Sequence, residues 1–174
     1  RHVWLDPPVS IHPSVAAGIR GFDAAIIGPG SFFTSIMPPL LVRGVKEALA
    51  EVRGPIILIA NLLTEGRGMS GFTAADAARW VADAIERPVD VVIANTGRPS
   101  EDGRLRYARE HKQPLELGEL APGVQPVLGQ FWCTEIARHD RRRLAFAVWS
   151  VLSEHLFDDA RARAEVRSEI GGRR

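Results

Sequence analysis

Gly28-Pro29-Gly30-Ser31, followed by Phe32-Phe33-Thr34-Ser35, carries an apolar run into two glycines and then into three hydroxyls. Gly28 and Gly30 can take positive φ and let a ligand approach the backbone, and Ser31 is of the type that caps a helix whose free amides attract an anion. The chemistry of such a stretch is the holding of a phosphate or sugar by amides and by the hydroxyls of Ser31, Thr34 and Ser35. It is not a Walker loop, because no Gly-Lys-Ser/Thr follows, and not the dinucleotide fingerprint, because the third glycine is missing. A plain strand-to-helix turn needs glycine for the same backbone reasons, so the residues alone leave both readings open.

Two more polar groups stand in the same relation to apolar runs: Asn61-Leu62-Leu63-Thr64 and Asn95-Thr96-Gly97. In an open parallel sheet, ligands gather beyond the carboxyl ends of the strands, which would put Gly28, Asn61, Thr64 and Asn95 around one crevice. Side chains bonding to nearby backbone explain the same residues without a ligand. Further on, Arg138-His139-Asp140 precedes Arg141, Arg142 and Arg143. A guanidinium offers a two-pronged fork for phosphate, and a histidine titrating near neutrality can donate a proton. The competing account is a helix start capped by Asp140 with a solvated basic turn behind it. His2, His12, His111 and His155 show no metal-ligand spacing, no Ser-His-Asp triad can be assigned, and Cys133 reads as a buried thiol. Glu65 to Gly71 is glycine-rich and reads as a flap or an ordinary surface loop.

The elements that must position these residues follow from hydrophobic periodicity. Ala24 to Ile27, Pro55 to Ala60 and Val89 to Ala94 are short apolar runs with helical patterns between them, the rhythm of a βαβαβ unit with a parallel sheet buried on both faces. Val42, Val45, Leu49 and Val52 predict one crossover helix ending before Gly54-Pro55. Thr73 with Asp76 three residues on predicts a capped start for a second, whose stripe is Ala77, Trp80, Val81, Ala84 and Ile85. Phe32 and Phe33 read as core anchors. Past Asn95 the pattern predicts a polar loop through Gly103, a short helix at Leu105 to Glu110, and strands at Pro114 to Leu117 and Gln125 to Leu128. Leu144, Val148, Val151, Leu152 and Leu156 predict an amphipathic helix capped by Asp140. At the other end, Val3 to Leu5 reads as a strand and Pro13 opens a short helix closing near Gly21.

The 174 residues fit one domain with a substantial core. Net charge is +1, from 22 basic and 21 acidic side chains, so no overall field recruits nucleic acid or a membrane surface, and an anionic ligand must be met locally. The apolar runs are too short to span a bilayer. One cysteine excludes an intrachain disulfide framework and a cysteine-based zinc site, and suits a cytoplasmic location. The chain starts at Arg1 without a Met or a signal-peptide pattern.

Taken in order, Gly28-Pro29-Gly30-Ser31-Phe32-Phe33-Thr34-Ser35-Ile36-Met37-Pro38, Leu40-Leu41-Val42, Gly44, Asn61-Leu62-Leu63-Thr64, Asp76, Asn95, Tyr107 and Arg138 to Ala145 resemble the pattern of the YvcK-type gluconeogenesis factors. These belong to the superfamily of CofD, the 2-phospho-L-lactate transferase of deazaflavin coenzyme synthesis. The resemblance implies a three-layer α/β/α, Rossmann-like, mainly parallel sheet, with residues 1–157 forming the C-terminal part of a single CofD-like domain and 158–174 a charged helical extension or tail. It implies a cytoplasmic regulator of carbon metabolism, cell shape and cell-wall synthesis that binds UDP-sugars such as UDP-N-acetylglucosamine. The alternative it carries is a magnesium-dependent CofD-like transferase with a nucleotide donor. The ligand-binding set on this reading is Gly28, Gly30, Ser31, Thr34, Ser35, Asn61, Thr64, Asn95, Arg138, His139 and Asp140. No catalytic residue or metal ligand is assigned, and no cofactor beyond magnesium in the transferase case. The partner is a nucleotide-sugar or related phosphorylated ligand, not nucleic acid and not a membrane.

Departures from the pattern shape these expectations. Family members begin with a Gly-Gly-Gly-Thr-Gly turn and an Asp-Asp-Gly-Gly-Ser segment. Neither occurs here, so the chain resembles the second half of a member, with part of the nucleotide site missing because it is a fragment, is truncated or is supplied with a partner. A homo-oligomer or a missing N-terminal half is the expected partner. The family loop Asn-Leu-Met-Thr-Gln-Pro-Gly-Glu-Thr stands here as Asn61-Leu62-Leu63-Thr64-Glu65-Gly66-Arg67-Gly68-Met69. Pro39, Phe33 and Ala77 replace an Asn, a Tyr and a His, and each loss of a polar handle favours binding over catalysis.

Overall fold

The computed structural model describes residues 3–133 and 136–171. The three apolar runs form β1 (Ala25–Ile27), β2 (Ile56–Ile59) and β3 (Val91–Asn95), and β4 (Gln125–Gly129) completes a sheet of order β1-β2-β3-β4. Every pairing is parallel, with Ala25 opposite Ile56, Ile57 opposite Val91, and Val91 opposite Gln125. Strand side chains alternate between faces, and over β2 and β3 both faces are covered. Ile56, Leu58 and Ala60 join one core with Val81 and Ile85, while Ile57 and Ile59 join a second with Ala147 and Val151. That double burial is why β2 reads as an unbroken apolar run.

The first face is covered by α2 (Met37–Leu40), α3 (Val45–Ala50) and α4 (Ala74–Ile85), and α1 (Pro13–Arg20) packs outside α3. The second face is covered by α6 (Arg141–Gly171) and by Tyr107 of α5 (Glu101–Arg109). The result is the expected three-layer α/β/α arrangement with a parallel sheet. Val81 and Ile85 of α4 are fully buried, which contributes about 2 kcal/mol each relative to exposure. The start of α4 is set by the Thr73 hydroxyl accepting from the Asp76 amide at 3.1 Å and the Asp76 carboxylate accepting from the Thr73 amide at 2.9 Å. Asp140 does the same for α6, its Oδ1 accepting from the Arg142 and Arg143 amides at 3.0 and 3.1 Å. Leu144, Val148, Val151 and Leu152 of α6 pack on the sheet as the periodicity predicts, while the side chain of Leu156 and residues 172–174 lie outside the described residues, as does His2.

Several expectations are corrected. Val3 to Leu5 form no strand: β1 pairs with β2 alone, and the preceding chain makes only an isolated bridge, Ser10 to Arg43. Pro114 to Leu117 is not a strand either, because its carbonyls are engaged elsewhere. Glu116 and Leu117 accept from the Ala74 and Ala75 amides at 2.8 Å, so this segment closes the start of α4 and keeps one bridge, Pro114 to Leu63. The polar loop expected through Gly103 ends at Ser100, since α5 begins at Glu101 with the Ser100 hydroxyl accepting from the Gly103 amide and two acids in the first turn. The helix predicted over Val42 to Val52 is trimmed to Val45–Ala50 by Gly44, whose φ of 93° stops its N-terminal extension. Cys133 is exposed, because it lies in the loop that leaves β4 and not in the core. Among the described residues no helix is long and apolar enough to cross a membrane.

Candidate functional site

The carboxyl ends of β1 and β2 deliver Gly28 and Asn61 side by side, as parallel pairing of Ile27 with Leu58 requires. Gly28 has φ 85°, and a Cβ there would stand 2.8 Å from the Ile59 carbonyl oxygen, so the turn needs glycine twice over. Gly30 lies outside the left-handed region, and a Cβ on it would make only ordinary contacts, with Ser35 Cβ at 3.5 Å and Ile36 Cγ1 at 3.7 Å. Asn61 clamps the turn. Its Oδ1 accepts from the Gly30 amide at 3.2 Å and its Nδ2 donates to the Gly30 carbonyl at 2.8 Å.

Beyond Ser31 a π-helical turn, Phe32–Ile36, runs directly into α2. Phe32 and Phe33 are core anchors, packing edge-on against Trp80 at 6.4 and 5.4 Å between ring centroids. Ser31 makes no capping bond to the helix. Its hydroxyl donates instead to Glu65 Oε2 at 2.7 Å and accepts from the Thr34 hydroxyl at 2.6 Å, and the Phe32 amide donates to Glu65 Oε1 at 2.8 Å. Asn61 Nδ2 reaches the same Oε1 at 3.0 Å. The Ser31 hydroxyl, read from sequence as part of an anion receptor, thus joins the Phe32 amide and Asn61 in holding the chain's own carboxylate. Thr64, 4% exposed, is fixed by Gln113: its amide donates to the Gln113 carbonyl at 2.8 Å and its hydroxyl accepts from the Gln113 amide at 3.0 Å.

The opposite wall comes from the loop between β4 and α6. A bridge between Trp132 and His139 closes this loop, and the Tyr107 hydroxyl accepts from the Ala137 amide at 2.7 Å while its ring stands 6.0 Å from Trp132. That places Arg138, His139 and Arg141 across from Asn61 and Glu65 in a cleft of about 780 Å³. His139 is half-buried, and this desolvation holds its pKa below the ordinary histidine value against the opposing effect of the Ala60 carbonyl beside the ring. At neutral pH the imidazole is uncharged. Arg138 and Arg141 have no acidic partner among the described residues, whereas Lys112, also in the cleft, pairs with Glu110 at 2.6 Å. Glu65 is the one carboxylate among the described lining residues, so cationic groups outnumber it.

Of the residues expected in the site, Gly30, Asn61, Thr64, Arg138 and His139 line this cleft. Gly28, Ser31, Thr34 and Ser35 belong to the turn and helix start behind it. Asn95 is engaged locally, its Oδ1 accepting from the Gly97 and Phe131 amides at 3.1 and 2.8 Å and its Nδ2 donating to the Gly97 carbonyl at 2.6 Å. Asp140 is the α6 cap, and the amides of Arg143 and Arg142 hold its carboxyl below the usual aspartate range. Sequence reasoning did not place Glu65, Tyr107, Lys112 and Arg141 in the cleft. The spacing of four from Asn61 to Glu65 across a glycine-rich loop, and a lone tyrosine on a predicted helix, were the available signals.

A larger cavity of about 920 Å³ lies between α4 and residues 118–124, away from the carboxyl ends of the strands. Its charged lining includes Asp76 and Arg79, which pair with each other. The smaller cleft is the better candidate because strand ends and two guanidiniums without an acidic partner among the described residues converge on it. A magnesium ion takes oxygen ligands, chiefly carboxylates. Glu65 is the one carboxylate among the described lining residues of the cleft, and three donors already engage it, so it leaves a magnesium ion about one acceptor position.

A parallel α/β sheet with a cationic cleft at its carboxyl ends is a general class of ligand-binding architecture. The particular family is given by comparison. The family profile described as 2-phospho-L-lactate transferase CofD matches residues 1–132, and the chain belongs to the CofD family. It is similar to the gluconeogenesis factor of Halalkalibacterium halodurans, 30% identical over 136 residues, which are 75% of this chain and 42% of that protein. A Thermotoga maritima relative, provisionally named a gluconeogenesis factor, is 33% identical over 153 residues, 82% of this chain and 48% of its own. A crystal structure of a UPF0052 family member from Bacillus halodurans superposes with a TM-score of 0.74 at 28% identity, covering 80% of this chain and 46% of that one. The chain spans about half the length, or less, of these proteins.

Proposed function

We propose that the cleft binds a phosphorylated ligand of the nucleotide-sugar kind, with UDP-N-acetylglucosamine as the leading candidate, and that the protein is a cytoplasmic ligand-binding regulator. The observation that carries this is the presence of two guanidiniums without acidic partners among the described residues, Arg138 and Arg141, in one cleft with the Asn61-clamped turn. Guanidinium forks match phosphate oxygens in pairs, and the volume of about 780 Å³ suits a ligand of nucleotide-sugar size. The likeness to gluconeogenesis factors supports a regulatory role in carbon metabolism, and cell shape and cell-wall synthesis are the processes we propose it reaches.

Calorimetric titration of UDP-N-acetylglucosamine into this chain tests the reading. Saturable heat with matching thermal stabilisation is the expected result, and neither at high ligand concentration would remove it.

The CofD profile itself favours a second reading, a transferase with a nucleotide donor. A transfer product seen by mass spectrometry after incubation with magnesium, a phospho-lactyl nucleotide donor and a deazaflavin acceptor would establish it over the regulator.

A further inference from the structure

The two walls of the cleft are chemically opposite. On one side, three donors converge on Glu65: the Ser31 hydroxyl at 2.7 Å, the Phe32 amide at 2.8 Å and Asn61 Nδ2 at 3.0 Å. Thr34 directs its own proton at Ser31, so this hydroxyl pair is oriented toward Glu65 as well. A carboxylate has about four acceptor positions, and with three filled, one on Oε2 is left for a further donor. On the other side stand Arg138 and Arg141, donors without acceptors among the described residues. An incoming phosphate at the Ser31 turn would meet a like charge and find the Ser31 hydroxyl and the Phe32 amide taken. At Arg138 and Arg141 it would meet opposite charge and free N–H groups.

We infer that Glu65 sets the polarity of the cleft and is its specificity-determining residue: it occupies the donors of the Ser31 turn, directs the anionic part of the ligand to the Arg138–Arg141 wall, and accepts from a neutral, hydroxyl-bearing part such as a sugar ring. This rests on the anion-binding reading proposed above and adds an orientation to it. It also assigns a ligand class. A compound with charge at one end and hydroxyls at the other fits both walls, whereas a bare polyanion fits one.

The test compares inorganic pyrophosphate, UDP and UDP-N-acetylglucosamine on the wild type, Glu65→Ala and Glu65→Gln by calorimetry, with circular dichroism confirming that each variant is folded. Removing the carboxylate frees the Ser31 hydroxyl and the Phe32 amide, so Glu65→Ala should bind pyrophosphate about tenfold more tightly than the wild type. The preference for the sugar nucleotide over UDP should fall by a similar factor. Glu65→Gln keeps an acceptor for the Phe32 amide without the charge and should fall between the two. If pyrophosphate affinity is unchanged or weaker in both variants, Glu65 does not exclude anions and the inference is overturned. If pyrophosphate tightens as expected while the wild type binds no nucleotide, the polarity stands and the nucleotide-sugar reading falls.

Discussion

At the scale of single residues, charge and proton occupancy divide the roles around the cleft. Arg138 lies on an exposed loop held by backbone contacts, so its side chain contributes to binding without supporting the core. Arg138→Ala should weaken nucleotide-sugar binding about ten- to a hundredfold, the range for loss of a charged hydrogen bond, with no change in the thermal midpoint. Unchanged affinity in the titration would take Arg138 out of the site. His139 works differently. Burial holds its native pKa below the unfolded value, so its contribution to stability is complete above the ordinary histidine range and is lost as pH falls through that range toward the native pKa. Thermal unfolding followed from about pH 7 down to about pH 5 should show a falling midpoint, and His139→Asn should flatten that fall. A histidine variant with the wild-type slope would assign the pH response to other groups.

At the scale of elements, the turn between β1 and the π-helical start of α2 is held by backbone geometry, and two substitutions probe it separately from the helices. Gly28→Ala places a Cβ against the Ile59 carbonyl at 2.8 Å at a φ of 85°, which should lower stability by about 2 kcal/mol through strain at one edge of the sheet. Thr73→Ala removes the hydroxyl that caps α4 and should cost about 1 kcal/mol. Asp76, the other half of that box, is pushed up by burial but held lower overall by the Thr73 hydroxyl and amide and by Arg79. Its contribution is therefore present above the usual carboxylate range and lost in acid, and denaturant unfolding of Thr73→Ala near pH 3 should differ less from the wild type than at pH 7.

These elements also show what the sequence could disclose. Short apolar runs and the Thr73-Asp76 box are local patterns, so β1 to β3 and α4 were legible from residue order. The fate of Pro114 to Leu117 was not, since its apolar alternation suits a strand while its carbonyls go to the α4 start, a contact decided in three dimensions. In the site, the turn residues could be read from spacing. That Glu65 would take up the donors of Ser31 and Phe32 could not, because it depends on how a glycine-rich loop folds back over 34 residues of separation.

At the scale of the whole molecule, the two edges of the sheet and the outer side of α6 are unlike. Pro126 removes a donor from β4, which blunts that edge against strand addition. The β1 edge carries no proline, and Ile26 on it is exposed. On α6, Leu144, Val148, Val151 and Leu152 face the sheet, and on the opposite side Phe146, Trp149 and Phe157 are 74%, 64% and 69% exposed. Their spacing of three and eight puts the three aromatics on one stripe, so the helix is apolar on both sides. Exposed aromatic stripes mark association surfaces, and sedimentation tests whether a second copy of this chain covers this stripe. Phe146→Glu combined with Trp149→Lys should change unfolding free energy by no more than about 0.5 kcal/mol, since neither ring is in the core. In sedimentation the wild type should show a mass that rises with concentration, and the double variant should stay at the 19.1 kDa of one chain. A wild type that sediments as a monomer throughout would show that the stripe drives no association, and equal self-association of the two would move the contact to the β1 edge, where Ile26→Lys is the next substitution to make.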